Sequence, residues 1–316
     1  MEGSQPFDSE LDFDHPRRNR PAPPPPLGAE APQRRRRRGG GEGDGEEPPK
    51  RSRSETLARI AWALPWIAIV VTIAVVGGEL FAAAMIVFAG IGIFELFRMT
   101  ADARPFLTLA IAAAAGLVVA AFYGDQYDMM IVVAASVPLV FIGAVARPDR
   151  AGITVSIAVT LFAIVWIGIP FAHAVLLREL PDHGAALLVD VLVATFVADT
   201  AAYAGGRMFG RHRLAPALSP NKTLEGLAFG FVGGTAGFWF AGLYQDWLPG
   251  IDALVMGMAV AVLAPVGDLF ESMIKRDLAI KDSGTIFGPH GGLLDRLDAV
   301  LFTIVVGYYL AVAFVY

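Results

Sequence analysis

Carboxylates, amines and glycines crowd one stretch near the C-terminus of the 316-residue chain. It reads Gly267-Asp268-Leu-Phe-Glu271-Ser272-Met-Ile-Lys275-Arg276-Asp277, then Lys281-Asp282-Ser-Gly284, then Gly288-Pro-His290-Gly291-Gly292-Leu-Leu-Asp295-Arg296-Leu-Asp298. At helical spacing Asp268, Glu271, Ser272 and Lys275 share one face, and Asp295 and Asp298 share another. If those two helix ends meet, their acids offer hard oxygen ligands of the kind that hold Mg²⁺ beside substrate phosphates. The neighbouring lysines and arginines would neutralise charge on a phosphoryl group in transfer. His290, between Pro289 and a glycine pair, is placed to carry a proton or to close a turn. Taken singly, each feature has a plainer explanation. Acids at a helix start complement its dipole, and an exposed Asp–Lys pair is worth little. Their coincidence, in a membrane domain otherwise poor in charge, is what points to chemistry.

A second polar stretch lies upstream. Asp199, Ala202, Tyr203 and Gly206 follow i, i+3, i+4, i+7 spacing and share a helix face. Ser219-Pro-Asn-Lys222-Thr223-Leu-Glu225-Gly226 then opens the next apolar run. Ser219 or Thr223 suits an N-cap, and a helix start offers free N–H groups and the positive end of a dipole. With Lys222 beside it, such a terminus can hold a phosphate. Helix capping with an orienting lysine explains the same residues equally well.

The elements that must position these groups follow from composition. Hydrophobic residues make up 55% of the chain and charged ones 17%, against about 45–50% and about 25% in a soluble domain. Residues 1–56 hold 11 basic and 11 acidic residues and 10 of the 21 prolines. That tail is expected to be disordered, with no secretory signal peptide in it. Its Arg34–Arg38 run suits anionic headgroups, and nothing in a net charge of −5 suggests a nucleic-acid partner. With no cysteine, thiol catalysis, Cys-ligated zinc and disulfides are excluded.

Residues 57–316 read as an all-α polytopic membrane domain, since a span needs about 20 mostly apolar residues. Nine are expected: Ile60–Val76, Leu80–Phe97, Phe106–Tyr123, Met129–Ala146, Ile153–Leu177, Ala185–Gly205, Leu224–Leu243, Ala253–Phe270 and Ala299–Tyr316. Pro138 and Pro170 should kink their spans. Twelve basic residues fall in the loops after even-numbered spans, and only Arg178 falls in the opposite ones. The positive-inside rule then places the N-terminus and both polar stretches in the cytoplasm, and the C-terminus outside.

The run Ser272-x-x-Lys275-Arg276, Lys281-Asp282, Pro289-His290-Gly291-Gly292-x-x-Asp295-Arg296-x-Asp298 closely resembles the signature of the phosphatidate cytidylyltransferases, or CDP-diacylglycerol synthases. The Asp199…Tyr203…Gly206 and Ser219-Pro-x-Lys222-Thr223-x-Glu225-Gly226 stretches resemble that family too, so the likeness is detailed over about residues 195–298. It implies a nucleotidyltransferase of the cell membrane, with its active site on the cytoplasmic face. CTP and phosphatidate would give CDP-diacylglycerol and pyrophosphate for phospholipid synthesis, with Mg²⁺ required. The resemblance further implies a metal centre at Asp268, Asp295 and Asp298, a monovalent cation such as K⁺ beside it, and a homodimer. Lys275 and His290 join the aspartates as catalytic candidates. Asp199, Tyr203, Ser219, Lys222, Thr223, Arg276, Lys281 and Arg296 are the expected substrate contacts. Residues 1–56 lie outside the resemblance.

Two other functions share some of these features. A CTP-dependent lipid kinase would use similar chemistry but release CDP. A secondary transporter would need ionisable groups near the bilayer midplane, for which Glu79, Glu95 and Asp190 are the candidates.

Overall fold

The computed structural model describes residues 69–284 and 291–316. Residues 1–56, most of the first expected span and His290 lie outside them; residues 69–76 of that span are helical. Eight helices follow: α1 (Gly78–Met99), α2 (Leu107–Tyr123), α3 (Gln126–Val145), α4 (Ile153–Arg178), α5 (Gly184–Phe209), α6 (Leu224–Gly242), α7 (Gly250–Asp277) and α8 (Leu294–Phe314). They overlap the second to ninth expected spans with shifted ends, α7 running on to Asp277 and α8 starting at Leu294; in hydrocarbon a helix meets every backbone hydrogen bond within its own segment. Six of them, α1, α3, α4, α5, α7 and α8, are long and apolar enough to cross a membrane. The chain is an all-α polytopic membrane protein with one small exception.

That exception is a hairpin where the sequence suggests only a loop. β1 (Arg213–Ala215) and β2 (Ser219–Thr223) pair antiparallel, with Arg213 opposite Thr223 and Ala215 opposite Ser219. The Leu218 N–H closes the turn on the Ala215 carbonyl at 3.1 Å. Helix α5 also runs to Phe209, past the expected end at Gly205. It can continue because Gly205 and Gly206 leave room for Phe229 and for the start of α6.

The prolines are accommodated as physical chemistry requires. Pro138 sits within α3. Pro170 lacks the N–H that would reach the Trp166 carbonyl, and the turn before it, Ile164–Gly168, widens to π geometry. Pro265 in α7 likewise cannot donate to Ala261.

Small residues set the helix contacts. Helices α5 and α6 pack closely, and at Gly230 an added Cβ would lie 2.9 Å from Ala202 Cβ and 3.0 Å from the Ala198 carbonyl oxygen. This is the close backbone approach that small residues permit between membrane helices. Helix α8 packs on α4, α5 and α7, and the Thr195 hydroxyl bonds Thr303 across the buried α5–α8 contact at 2.8 Å. At the opposite end of the bundle, Arg178 donates to the Ala74 and Val75 carbonyls at the end of the 69–76 helix. The lone arginine of the acidic loops is thus engaged as a helix cap.

The three transporter candidates have separate local settings. Glu79 is exposed in the first turn of α1, buried Asp190 accepts from Gln245 at 2.8 Å, and Glu95 is turned to α8.

Candidate active site

Helices α7 and α8 meet at Gly267. An added Cβ there would lie 2.4 Å from the Asp298 carbonyl oxygen and 2.9 Å from Ala299 Cα. Both are backbone atoms that cannot step aside, so this glycine brings Asp268 and Asp298 to one place. Gly267→Ala should therefore force the helices apart, costing about 1–3 kcal/mol and lowering both the detergent melting point and turnover.

Beside this crossing opens a cleft of about 820 Å³ between α5, α6, α7, α8 and the hairpin. Of the residues singled out in the sequence, Asp199, Tyr203, Lys222, Thr223, Asp268, Lys275, Asp295, Arg296 and Asp298 line it. Arg207 and Arg213, which are not among the expected site residues, line it as well. Ser219, Arg276 and Lys281 do not. The apolar side of the cleft includes Phe196, Phe231, Ala261 and Pro265.

Several polar residues in and beside the cleft have definite local partners. Thr223 caps α6, its hydroxyl accepting the Gly226 N–H at 3.1 Å. Glu225 accepts the backbone N–H groups of Arg211 and His212 and lies 2.6 Å from the His212 imidazole, which anchors the chain leading into the hairpin. Arg276 donates to the Leu218 carbonyl at 3.1 Å and so ties the hairpin turn to the end of α7. Lys222, carried on β2, reaches Asp268 at 2.5 Å, while Ser272 donates to the other Asp268 oxygen at 3.4 Å. Arg207 donates to the Tyr203 hydroxyl one turn earlier on α5.

Lys275 bridges two helices. Its ammonium lies 2.7 Å from Glu271 on α7 and 2.8 Å from Asp295 on α8. The second Asp295 oxygen accepts the Ser283 and Gly292 N–H groups at 2.9 and 2.8 Å. Both oxygens of Asp295 are therefore engaged within the protein.

Four aspartates, Asp199, Asp268, Asp295 and Asp298, share the cleft with Lys222, Lys275 and three arginines. Asp199 feels the charges of Asp268 and Lys222, and Asp298 those of Asp268, Glu271 and Asp199. Like charges partly removed from water are costly unless cations compensate them. A divalent cation would do so, and hard carboxylate oxygens suit Mg²⁺. Among the described residues no three of the His, Asp and Glu side chains are arranged to hold an ion by themselves. In Mg²⁺ sites one or two carboxylates commonly share the ion with substrate phosphates and water. The expected trio is thus split: Asp268 and Asp298 keep company at the helix crossing, whereas Asp295 would have to loosen its hold on Lys275 or a backbone amide to join them.

Sequence reasoning also gave Glu95 no role at the site. Glu95, buried on α1, accepts the N–H groups of Leu293 and Leu294 at 2.9 and 3.0 Å. A single acid near the end of an apolar span was its only signal.

Residues 57–314 match the model of the "Cytidylyltransferase family". A phosphatidate cytidylyltransferase of Thermotoga maritima is 32% identical over 231 residues, 71% of this chain and 84% of that protein. Those of Mycobacterium leprae and Bacillus subtilis are each 37% identical, over 166 and 157 residues, 52% and 49% of this chain and 53% and 58% of theirs. The chain spans about half the length of the mycobacterial relatives it matches. With the matched region running from the first expected span to the end of α8, and with the α7–α8 crossing inside it, this chain belongs to the cytidylyltransferase family.

Proposed function

We propose that the chain transfers the cytidylyl group of CTP to phosphatidate, giving CDP-diacylglycerol and pyrophosphate. The observation that carries this reading is the cleft itself, where acids at the α7–α8 crossing face Lys222, Arg207, Arg213 and Arg296, with apolar Phe196 and Phe231 alongside. A triphosphate and a lipid phosphate both need such cations, and a diacylglycerol needs an apolar flank. The relatives carry the same activity in their names.

In the reaction an oxygen of the lipid phosphate attacks the α-phosphorus of CTP. The bond between the α-phosphorus and the bridging oxygen breaks, and pyrophosphate leaves with that electron pair. Transfer of this kind asks mainly for alignment and charge stabilisation, so no protein nucleophile is needed. Lys222, Arg207, Arg213 and Arg296 hold the phosphates of the two substrates. Thr223 and the start of α6 present a fixed capped terminus at the cleft wall. Asp268 and Asp298 would hold Mg²⁺, with the charge of Asp199 close by; the ion would supply Lewis acidity toward the phosphate oxygens. Lys275 sets the distance between α7 and α8. The arginine and lysine distribution supports a site on the cytoplasmic face of the cell membrane, and the resemblance to the family supports a homodimer.

The test is pyrophosphate release by the purified protein from CTP, with and without phosphatidate and Mg²⁺. Release that depends on all three is the expected result. CDP as the nucleotide product would favour a lipid kinase, and no nucleotide turnover would defeat the reading.

A further inference from the structure

Helix α8 starts in an unusual way. Its N-cap is Leu293, which has no side chain able to accept a hydrogen bond, and no cap of that kind is made. The first N–H groups of a helix have no partners within it, and left buried without acceptors they are costly. Here the acceptor comes from another helix. One Glu95 oxygen takes the Leu293 N–H at 2.9 Å, and the other takes the Leu294 N–H at 3.0 Å. The carboxylate is 1% exposed, and its negative charge lies at the positive end of the α8 dipole.

The same side chain also meets the chain before the 285–290 segment. The Ser283 hydroxyl donates to Glu95 at 3.5 Å, and a Cβ on Gly284 would lie 2.5 Å from its carboxylate oxygen. Asp295 holds the Ser283 and Gly292 N–H groups from the opposite direction. Two acids, one on α1 and one on α8, therefore clasp the same two stretches of backbone. Asp295 follows directly on the capped residues, and Asp298 lies one turn further. Any shift in the start of α8 displaces both.

We propose that Glu95 is a positioning residue for the active site: from α1 it fixes the first turn of α8 and so the placement of Asp295 and Asp298 in the cleft. This rests on the cleft being the site of cytidylyl transfer. Glu95 touches no substrate. Its effect is geometric, and a displacement of about 1 Å in a reacting group is worth about 10²-fold in rate.

The experiment uses full-length protein in detergent, with Glu95→Ala, Glu95→Gln and Gly284→Ala beside the wild type. Steady-state pyrophosphate release gives kcat and KM per folded molecule, and amide hydrogen exchange is followed in peptides covering 291–300. Glu95→Ala should lose about 10²-fold in kcat/KM and exchange faster at Leu293 and Leu294, with α5 and α6 unchanged. Glu95→Gln keeps one acceptor oxygen and should recover most of the loss. Gly284→Ala keeps the acid but pushes its carboxylate aside, and should fall in the same direction. Wild-type kcat and KM in a folded Glu95→Ala protein would overturn the proposal, even if that protein melted earlier. Should Glu95→Ala not fold, Gly284→Ala decides, and wild-type kinetics there overturn it. If the wild type itself makes no pyrophosphate, the functional reading fails instead. The exchange measurement then decides for Glu95 alone, and unchanged protection at Leu293 and Leu294 overturns the cap.

Discussion

Asp268→Asn is expected to lower pyrophosphate release by about 10³-fold, the scale on which removal of one preorganised charge-stabilising group acts. The substitution preserves shape and leaves an oxygen for the Ser272 hydroxyl, so packing at the α7–α8 crossing is spared. What it removes is the charge that Lys222 reaches at 2.5 Å and that Asp199 and Asp298 both feel. With that charge gone the cleft loses a ligand for a divalent ion, and Lys222 loses the partner that aims it from β2. The detergent melting point should stay close to that of the wild type, because the neighbouring acids repel one another and the loss of one relieves them. Turnover within a few-fold of wild type, measured as pyrophosphate per folded molecule, would remove Asp268 from the reaction.

Lys275→Met is expected to act on the fold. Its side chain is 13% exposed, and the acids it joins are 0% and 11% exposed. Removing one partner of a buried ion pair costs about 3–5 kcal/mol, because the other charge is left without compensation. Here two acids would be stranded, on different helices. The variant should melt markedly earlier, and adding Glu271→Gln should restore part of the loss, since one stranded charge is then gone. Preserved melting with abolished turnover would instead make Lys275 a catalytic residue, the role for which its sequence position makes it a candidate. Melting curves of the single and double variants separate the two outcomes.

The helices were legible because hydropathy alone determines where a membrane chain can place unbonded backbone. Runs such as Leu107–Tyr123 and Ile153–Arg178 have no other stable form in a bilayer. The acids and amines of the cleft were legible as types and spacings, since Asp295 and Asp298 must share a face once they share a helix. Partners across helices were not. Nothing local distinguishes Lys275, bound between Glu271 and Asp295, from Arg276 next to it, which turns away to hold Leu218. The hairpin escaped for a related reason. Arg213–Ala215 is three residues long and Ser219–Thr223 contains a proline, so neither shows the alternation that marks a strand. Its pairing owes as much to the Glu225 and Arg276 anchors as to its own residues.

The cap on α8 also bears on how the protein is made. Glu95 and Leu294 are 199 positions apart, so the acid emerges from the ribosome long before the amide it must meet. Every intervening helix is synthesised and inserted first, and the final rod has to thread back against the earliest ones to obtain its acceptor. A nascent chain that has not yet reached Leu294 therefore lacks the cap, and the start of α8 is fixed only once that amide has been made.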